Sequence, residues 1–133
     1  MRRKLALTRE PLDEAAISAW AQDTETGAVV SFVGRVREYE GEELIDALEY
    51  EVYEDMAQVQ MQRLADEIEN EYPDVRALAL VHRVGVIPVG EAAVVVAVGA
   101  GHRQEGFAAC RYGIDRLKEI VPIWKKIAKG ARA

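Results

Sequence analysis

The sequence predicts a single α+β domain, and three observations carry that expectation. Residues 28–37 alternate apolar and polar side chains with the period of a strand, and residues 77–86 and 92–100 are apolar and β-branched. Residues 55–72 and 107–121 instead repeat apolar residues at helical spacing. Strands and helices follow one another without strict alternation, which favours α+β over a doubly wound α/β sheet.

Residues 4–8 suggest a short first strand. Pro11 suits a helix start, with Leu12, Ala16 and Trp20 giving an apolar face up to about Gln22. In the next strand Val30, Phe32 and Val36 fall on one face, and Ser31, Val33, Arg35 and Arg37 on the other. Residues 38–43 are acidic around Gly41 and read as a mobile loop; residues 48–53 alternate again. Met56, Val59, Leu64, Ile68 and Tyr72 mark a helix that Pro73 ends. The stretches 77–86 and 92–100 are expected to pair as a hairpin about Pro88-Val89-Gly90, the second as a central strand buried on both faces. Phe107, Cys110, Ile114, Leu117 and Val121 form the stripe of a last long helix that Pro122 stops or kinks. Trp124 is expected to anchor the following segment by burial.

The chain has 133 residues, enough for a core without disulfide or metal staples. Its formal net charge is -6, yet from His102 onward eight Lys/Arg face three Asp/Glu. A basic cluster on an acidic protein points to an anionic ligand, and the Gly99-Ala100-Gly101 turn beside a helix start favours a small phosphate or carboxylate. A nucleic-acid binder is expected to be basic overall, so no nucleic-acid partner is expected. No apolar run approaches the roughly 20 residues that span a bilayer. Leu5-Ala6-Leu7 is too short for a signal-peptide core, so no membrane association and a cytoplasmic location are expected. One cysteine and two histidines leave no ligand set for a metal centre, and no cofactor is expected.

Arg35 and Arg37, two apart on one strand, share a face roughly 7 Å apart and form a fork for a phosphate or carboxylate, or else pair with Glu38, Glu40 or Glu49. His102 and Arg103 follow the glycine turn, where the first helical N–H groups lack helical partners; they bind an anion there or simply cap a surface helix. His82, within an apolar strand, reads as a satisfied structural histidine. Lys118 sits about 60° from the middle of the last helix's apolar stripe, with Arg111 on the same side. Partial desolvation there favours a neutral amine able to act as nucleophile or base, and snorkelling is the plain alternative. The turn at Pro122 brings Lys125 back toward Lys118. Cys110 faces the core as an inert thiol.

Together these pieces resemble the large, catalytic subunit family of molybdopterin synthases, over about Gly27 to Lys126. The resemblance rests on Gly27-Ala28-Val29-Val30, Phe32-Val33-Gly34-Arg35-Val36-Arg37, Leu48-Glu49-Tyr50-Glu51-Val52-Tyr53 and Met56-Ala57. It continues through His82-Arg83-Val84-Gly85, Val89-Gly90-Glu91, His102-Arg103 with Phe107, and Lys118 to Pro122-Ile123-Trp124-Lys125-Lys126. It implies a hammerhead-like mixed or antiparallel sheet with packed helices, and a homodimer at the centre of a heterotetramer. The outer partners are small ubiquitin-like sulfur carriers ending in a Gly-Gly thiocarboxylate, and the substrate is cyclic pyranopterin monophosphate. The implied reaction inserts two sulfurs as the molybdopterin dithiolene. By position, Lys118 and Lys125 are the implied catalytic lysines. Arg35, Val36 and Arg37 line the substrate pocket with His102 and Arg103, the last two contributed across the dimer, and Lys126 and Ile127 lie at its edge. Ile127 stands where the family carries an acidic residue, and the family's tail with Asp-Gly and a further Trp does not follow here. Two other readings fit the same residues: a dimeric module binding small anions, and a catalytically weak paralogue that scaffolds the carrier.

Overall fold

The computed structural model describes residues 1–128; the short tail beyond, 129–133, lies outside the described residues. In chain order the elements are β1 (Arg2–Thr8), α1 (Glu14–Trp20), β2 (Ala28–Arg35), β3 (Tyr39–Glu40), β4 (Glu43–Leu44), β5 (Ala47–Val52), α2 (Glu54–Glu71), β6 (Val75–Arg83), β7 (Gly85–Pro88), β8 (Ala92–Ala100), α3 (Arg103–Ile120) and β9 (Ile123–Ile127). The main sheet runs β1-β6-β8-β2, with β1 parallel to β6 and the other pairs antiparallel. A second, antiparallel sheet runs β7-β5-β9. This is the expected α+β class with a mixed sheet. No helix among the described residues is long and apolar enough to cross a membrane.

The alanines and valines of β8 make it the centre of the core, with all nine residues buried. One face of the main sheet packs on α2 and α3 through Leu78, Leu80, Val96 and Val98 against Met61, Leu64, Ile114 and Leu117. The other face takes α1 through Ile17 and Ala21. A third cluster, with Val36, Ile45, Leu48 and Ile87, sits under the small sheet. Cys110 is buried as expected, its thiol 3.6 Å from the Val96 carbonyl and pushed up to about 11 by burial.

Several expectations need correction. Helix α1 begins at Glu14 rather than Pro11, because the Asp13 carboxylate accepts the Ala16 N–H at 3.0 Å and caps it there. The acidic loop closes as a two-rung β3–β4 hairpin about Gly41, whose φ of 63° suits glycine. β6 and β8 pair as expected down to His82↔Val94, but Gly85, at φ 89°, turns the chain away. Residues 85–88 therefore join β5 instead of prolonging the hairpin. Phe107 is 62% exposed, since the packed stripe of α3 is Gly106, Ala109, Cys110, Gly113, Ile114 and Leu117. Trp124 is 45% exposed rather than buried: it pairs with Glu51 across β9 and β5, and its indole N–H donates to that carboxylate at 3.0 Å.

Helices α2 and α3 are also joined by a polar cluster. Arg116 and the Tyr112 hydroxyl both donate to Glu67, at 2.9 and 2.7 Å, and hold its carboxyl near 2, below the ordinary 4.5. A carboxyl depressed in the fold contributes stability above its unfolded value and loses it as pH falls. The Glu67 contribution is therefore complete above about pH 4.5 and is lost toward about pH 2. Glu67→Gln is expected to flatten this part of the stability–pH curve, read by denaturant midpoints between pH 5 and 2. An unchanged slope would remove Glu67 as its source.

Candidate active site

Where α3 ends, Val121 adopts extended geometry and Pro122 follows, so the chain reverses into β9 along β5. The reversal closes a cleft of about 370 Å³ between the C-terminal part of α3, the end of the main sheet and the small sheet. Arg35, Arg37, Lys118 and Lys125 line it, and among the described residues no Asp or Glu does. Four cations gathered without a lining carboxylate give the cleft a positive field suited to a small anion.

The cations are held differently. Arg35 ends β2 after a register shift at Gly34/Arg35. Its guanidinium nitrogen Nη2 lies 2.7 Å from both Glu14 carboxylate oxygens, and Nη1 donates to the Gly90 carbonyl at 3.4 Å. Its partner is thus the α1 carboxylate rather than Glu38, Glu40 or Glu49. Lys125 Nζ is 3.3 Å from Glu40, in the small hairpin. Among the described residues neither Arg37 nor Lys118 has an ion-pair partner. Lys118 is exposed in the single chain, so the expected partial desolvation is absent there: the buried stripe ends on Leu117, one residue around the helix.

The remaining candidates lie elsewhere in the chain. Val36 is 2% exposed and packs with Ile45 and Leu48, and its backbone N–H and C=O bond to Glu91 and Gly90. Lys126 points to the outer face, 2.5 Å from Glu51. Ile127 packs on the third core cluster opposite Leu48. His102 and Arg103 start α3 while Lys118 ends it, 15 residues on, or roughly 22 Å along the helix axis. Beside that start the Asp74 carboxylate accepts the N–H of His102, the N-cap residue, at 2.8 Å and lies 3.1 Å from its Nδ1.

Two residues given no site role from sequence also line the cleft: Tyr50, and His82, which reads there as a structural histidine. The His82 ring is 5% exposed and tilts against Tyr50, with centroids 5.0 Å apart. Its Nδ1 lies 2.6 Å from the Arg83 carbonyl. Burial first, and the Lys118 charge in addition, press its pKa below 6.5, while the carbonyl bond acts the other way. Burial and Glu40 raise the Tyr50 phenol, so it is un-ionised. The available signal was the alternation of β6: Leu78, Leu80 and His82 share the face that α3 covers.

A mixed-sheet α+β unit with an acid-free cleft of lysines and arginines is a protein built for a small, multiply anionic substrate. The family model described as MoaE protein matches residues 7–120. The molybdopterin synthase catalytic subunit of Bacillus subtilis is 41% identical over 123 residues, 92% of this chain and 78% of that protein. Its counterpart in Nostoc is 44% identical over 121 residues, 91% of this chain and 73% of that one. The crystal structure of molybdopterin synthase from Staphylococcus aureus superposes with a TM-score of 0.85 at 35% identity, covering 95% of this chain and 93% of that chain. The chain belongs to the MoaE family. A complex of subunits 1 and 2 of the molybdopterin-converting factor from Helicobacter pylori, at 22% identity and a TM-score of 0.79, shares the fold.

Proposed function

We propose that the chain is the catalytic subunit of a molybdopterin synthase, transferring sulfur from a thiocarboxylated ubiquitin-like carrier to cyclic pyranopterin monophosphate. The observation that carries this reading is the acid-free cationic cleft in a chain matched by the MoaE model over residues 7–120. Thiocarboxylate, cyclic phosphate and the tetrahedral intermediates between them are all anionic. Fixed cations beside the reacting carbon stabilise the charge that develops there. Lys118 takes the catalytic position, because no carboxylate among the described residues neutralises it, and Lys125 faces it from β9. Arg35 and Arg37 bind phosphate. A homodimer supports the assignment of His102 and Arg103, whose distance along α3 leaves them to serve a second copy's cleft. Val36, Lys126 and Ile127 sit beside residues that line the cleft rather than in its lining. The small carrier with its Gly-Gly tail is the protein partner, and the cytoplasm is the proposed location.

The test is to combine purified protein, thiocarboxylated carrier and cyclic pyranopterin monophosphate and to assay for molybdopterin. Carrier binding without product would leave the chain a scaffold and sink the catalytic assignment.

The Glu14–Arg35 contact gives a further expectation. Phosphate reaching Arg35 has to displace a carboxylate held through two oxygens. Glu14→Gln is expected to tighten binding of the cyclic monophosphate several-fold at low salt and to change carrier affinity little, both read by calorimetry. Weaker phosphate-ester binding would make Glu14 a positioning partner rather than a competitor.

A further inference from the structure

We infer that His82 is the proton acceptor of the cleft, taking the proton of the water that replaces sulfur on the carrier's terminal carbon. This rests on the sulfur-transfer reading. A tail that arrives as –C(=O)S⁻ and gives up its sulfur leaves as –C(=O)O⁻, with the oxygen supplied by water. Water attacks the acyl carbon of the carrier–substrate thioester and its proton passes to His82 Nε2. The C–S bond breaks with its electron pair on sulfur, releasing the substrate thiolate. The imidazolium and the new carboxyl then each lose a proton to solvent.

The geometry supplies an acceptor that borders the cleft, while the nearest carboxylates, Glu14 and Glu40, are held by Arg35 and Lys125. A carbonyl only accepts, so the 2.6 Å contact with Arg83 places the ring proton on Nδ1 and leaves the lone pair on Nε2. Among the described residues the fully buried side-chain nitrogen or oxygen without a partner is Arg83 Nε. His82 Nε2 has no protein partner either, so it is not sealed in, and the open space its ring borders is the cleft. The charged and titratable groups around that space are Lys118 from α3, Tyr50 from β5, Lys125 from β9, and Arg35 and Arg37 from the end of β2. Four are cations and one is an un-ionised phenol, so none is a base as it stands. A ring fixed by a backbone bond at Nδ1 and an aromatic contact keeps Nε2 in one orientation. Burial first, and the Lys118 charge in addition, favour the neutral ring.

His82→Gln separates proton transfer from hydrogen bonding, because its amide oxygen still accepts a hydrogen bond near Nε2 but takes no proton. In the complete reaction with thiocarboxylated carrier, the variant is expected to bind carrier and substrate within about threefold of wild type. Its kcat is expected to fall by about 10²–10⁴-fold, the usual contribution of a general base. A carrier–substrate thioester should accumulate, seen as the summed mass in the intact-protein spectrum, and the acidic limb of the kcat–pH profile should vanish. In wild type that limb falls as pH drops through the His82 pKa, below 6.5. Near-normal kcat with the limb intact overturns the inference, and so does a slow variant that builds no thioester. If the variant does not fold, ¹⁵N imidazole spectra of the wild type decide. A proton on Nδ1, with a titration that tracks the kcat limb, supports the role; a proton on Nε2 overturns it. No product from wild type overturns the synthase reading beneath it, and the inference with it.

Discussion

Lys118→Ala is expected to abolish molybdopterin formation while leaving the fold as it is. The side chain is exposed and has no ion-pair partner among the described residues, so its removal costs within about 0.5 kcal/mol of stability, as for most surface changes. The chemical cost is of another size. One fixed group that stabilises a developing oxyanion is worth about 10²–10³-fold in kcat, and in the role proposed for it Lys118 faces an anionic nucleophile, an anionic substrate and the charge that develops between them. Turnover with saturating carrier should fall at least 100-fold, with the thermal midpoint unchanged. Lys118→Arg, which keeps the charge but not the compact ammonium, should recover binding before it recovers rate. A variant that retained a tenth of wild-type turnover would move the centre of the chemistry to Lys125.

Leu80→Ala should produce the largest loss of stability. Leu80 is fully buried on β6 under α3, where a Cβ on Gly113 would lie 3.8 Å from Leu80 Cδ2 and 3.2 Å from Val96 Cγ1. Helix and sheet are packed too closely there to fill the gap by a small adjustment. Removing three carbons from such a site costs about 2–5 kcal/mol, against a typical total of about 5–15 kcal/mol. The thermal midpoint should drop by about 10 °C or more. Val86→Ala, at a residue 53% exposed, serves as the control and should shift it little. Equal losses in the two variants would mean that this core does not govern stability.

Regular periodicity made most of the fold legible. Residues 28–35 and 92–100 could hardly read otherwise than as strands, and 54–71 and 103–120 carry apolar residues at helical spacing over eighteen-residue helices. Errors gathered where a short-range cue competed with a longer-range one. Pro11 suits a helix start, but the carboxylate of Asp13 binds the free N–H of Ala16 and places the start three residues later. Phe107 and Trp124 are large and apolar and were expected to be buried. Helix α3 instead packs through glycines and alanines, and Trp124 is drawn to the outer face by its pairing with Glu51. Gly85 looks like any residue of an apolar run until its positive φ redirects the chain. The cleft was legible in part. Arg35, Arg37, Lys118 and Lys125 converge as their positions suggested. No local pattern shows that α3 holds His102 and Lys118 at opposite ends, or that Asp74, far back in the sequence, accepts the His102 N–H. His82 was hidden by its apolar neighbours: the residues that bury its ring gave it the look of a structural histidine.

The two walls of the cleft differ in how they are held. His82 and Val94 belong to strands hydrogen-bonded on both sides, in the layer where β8 has no exposed residue. Lys125 rides on β9, among the described residues an edge strand paired only with β5, with three of its five residues exposed. Amide hydrogens of β8 can reach solvent only when the whole molecule opens, so their exchange with deuterium reports the global free energy of unfolding. Those of β9 can exchange by peeling one strand from one neighbour. The cleft can therefore part along its Lys125 side to admit an extended chain end, while the wall that carries His82 stays in register.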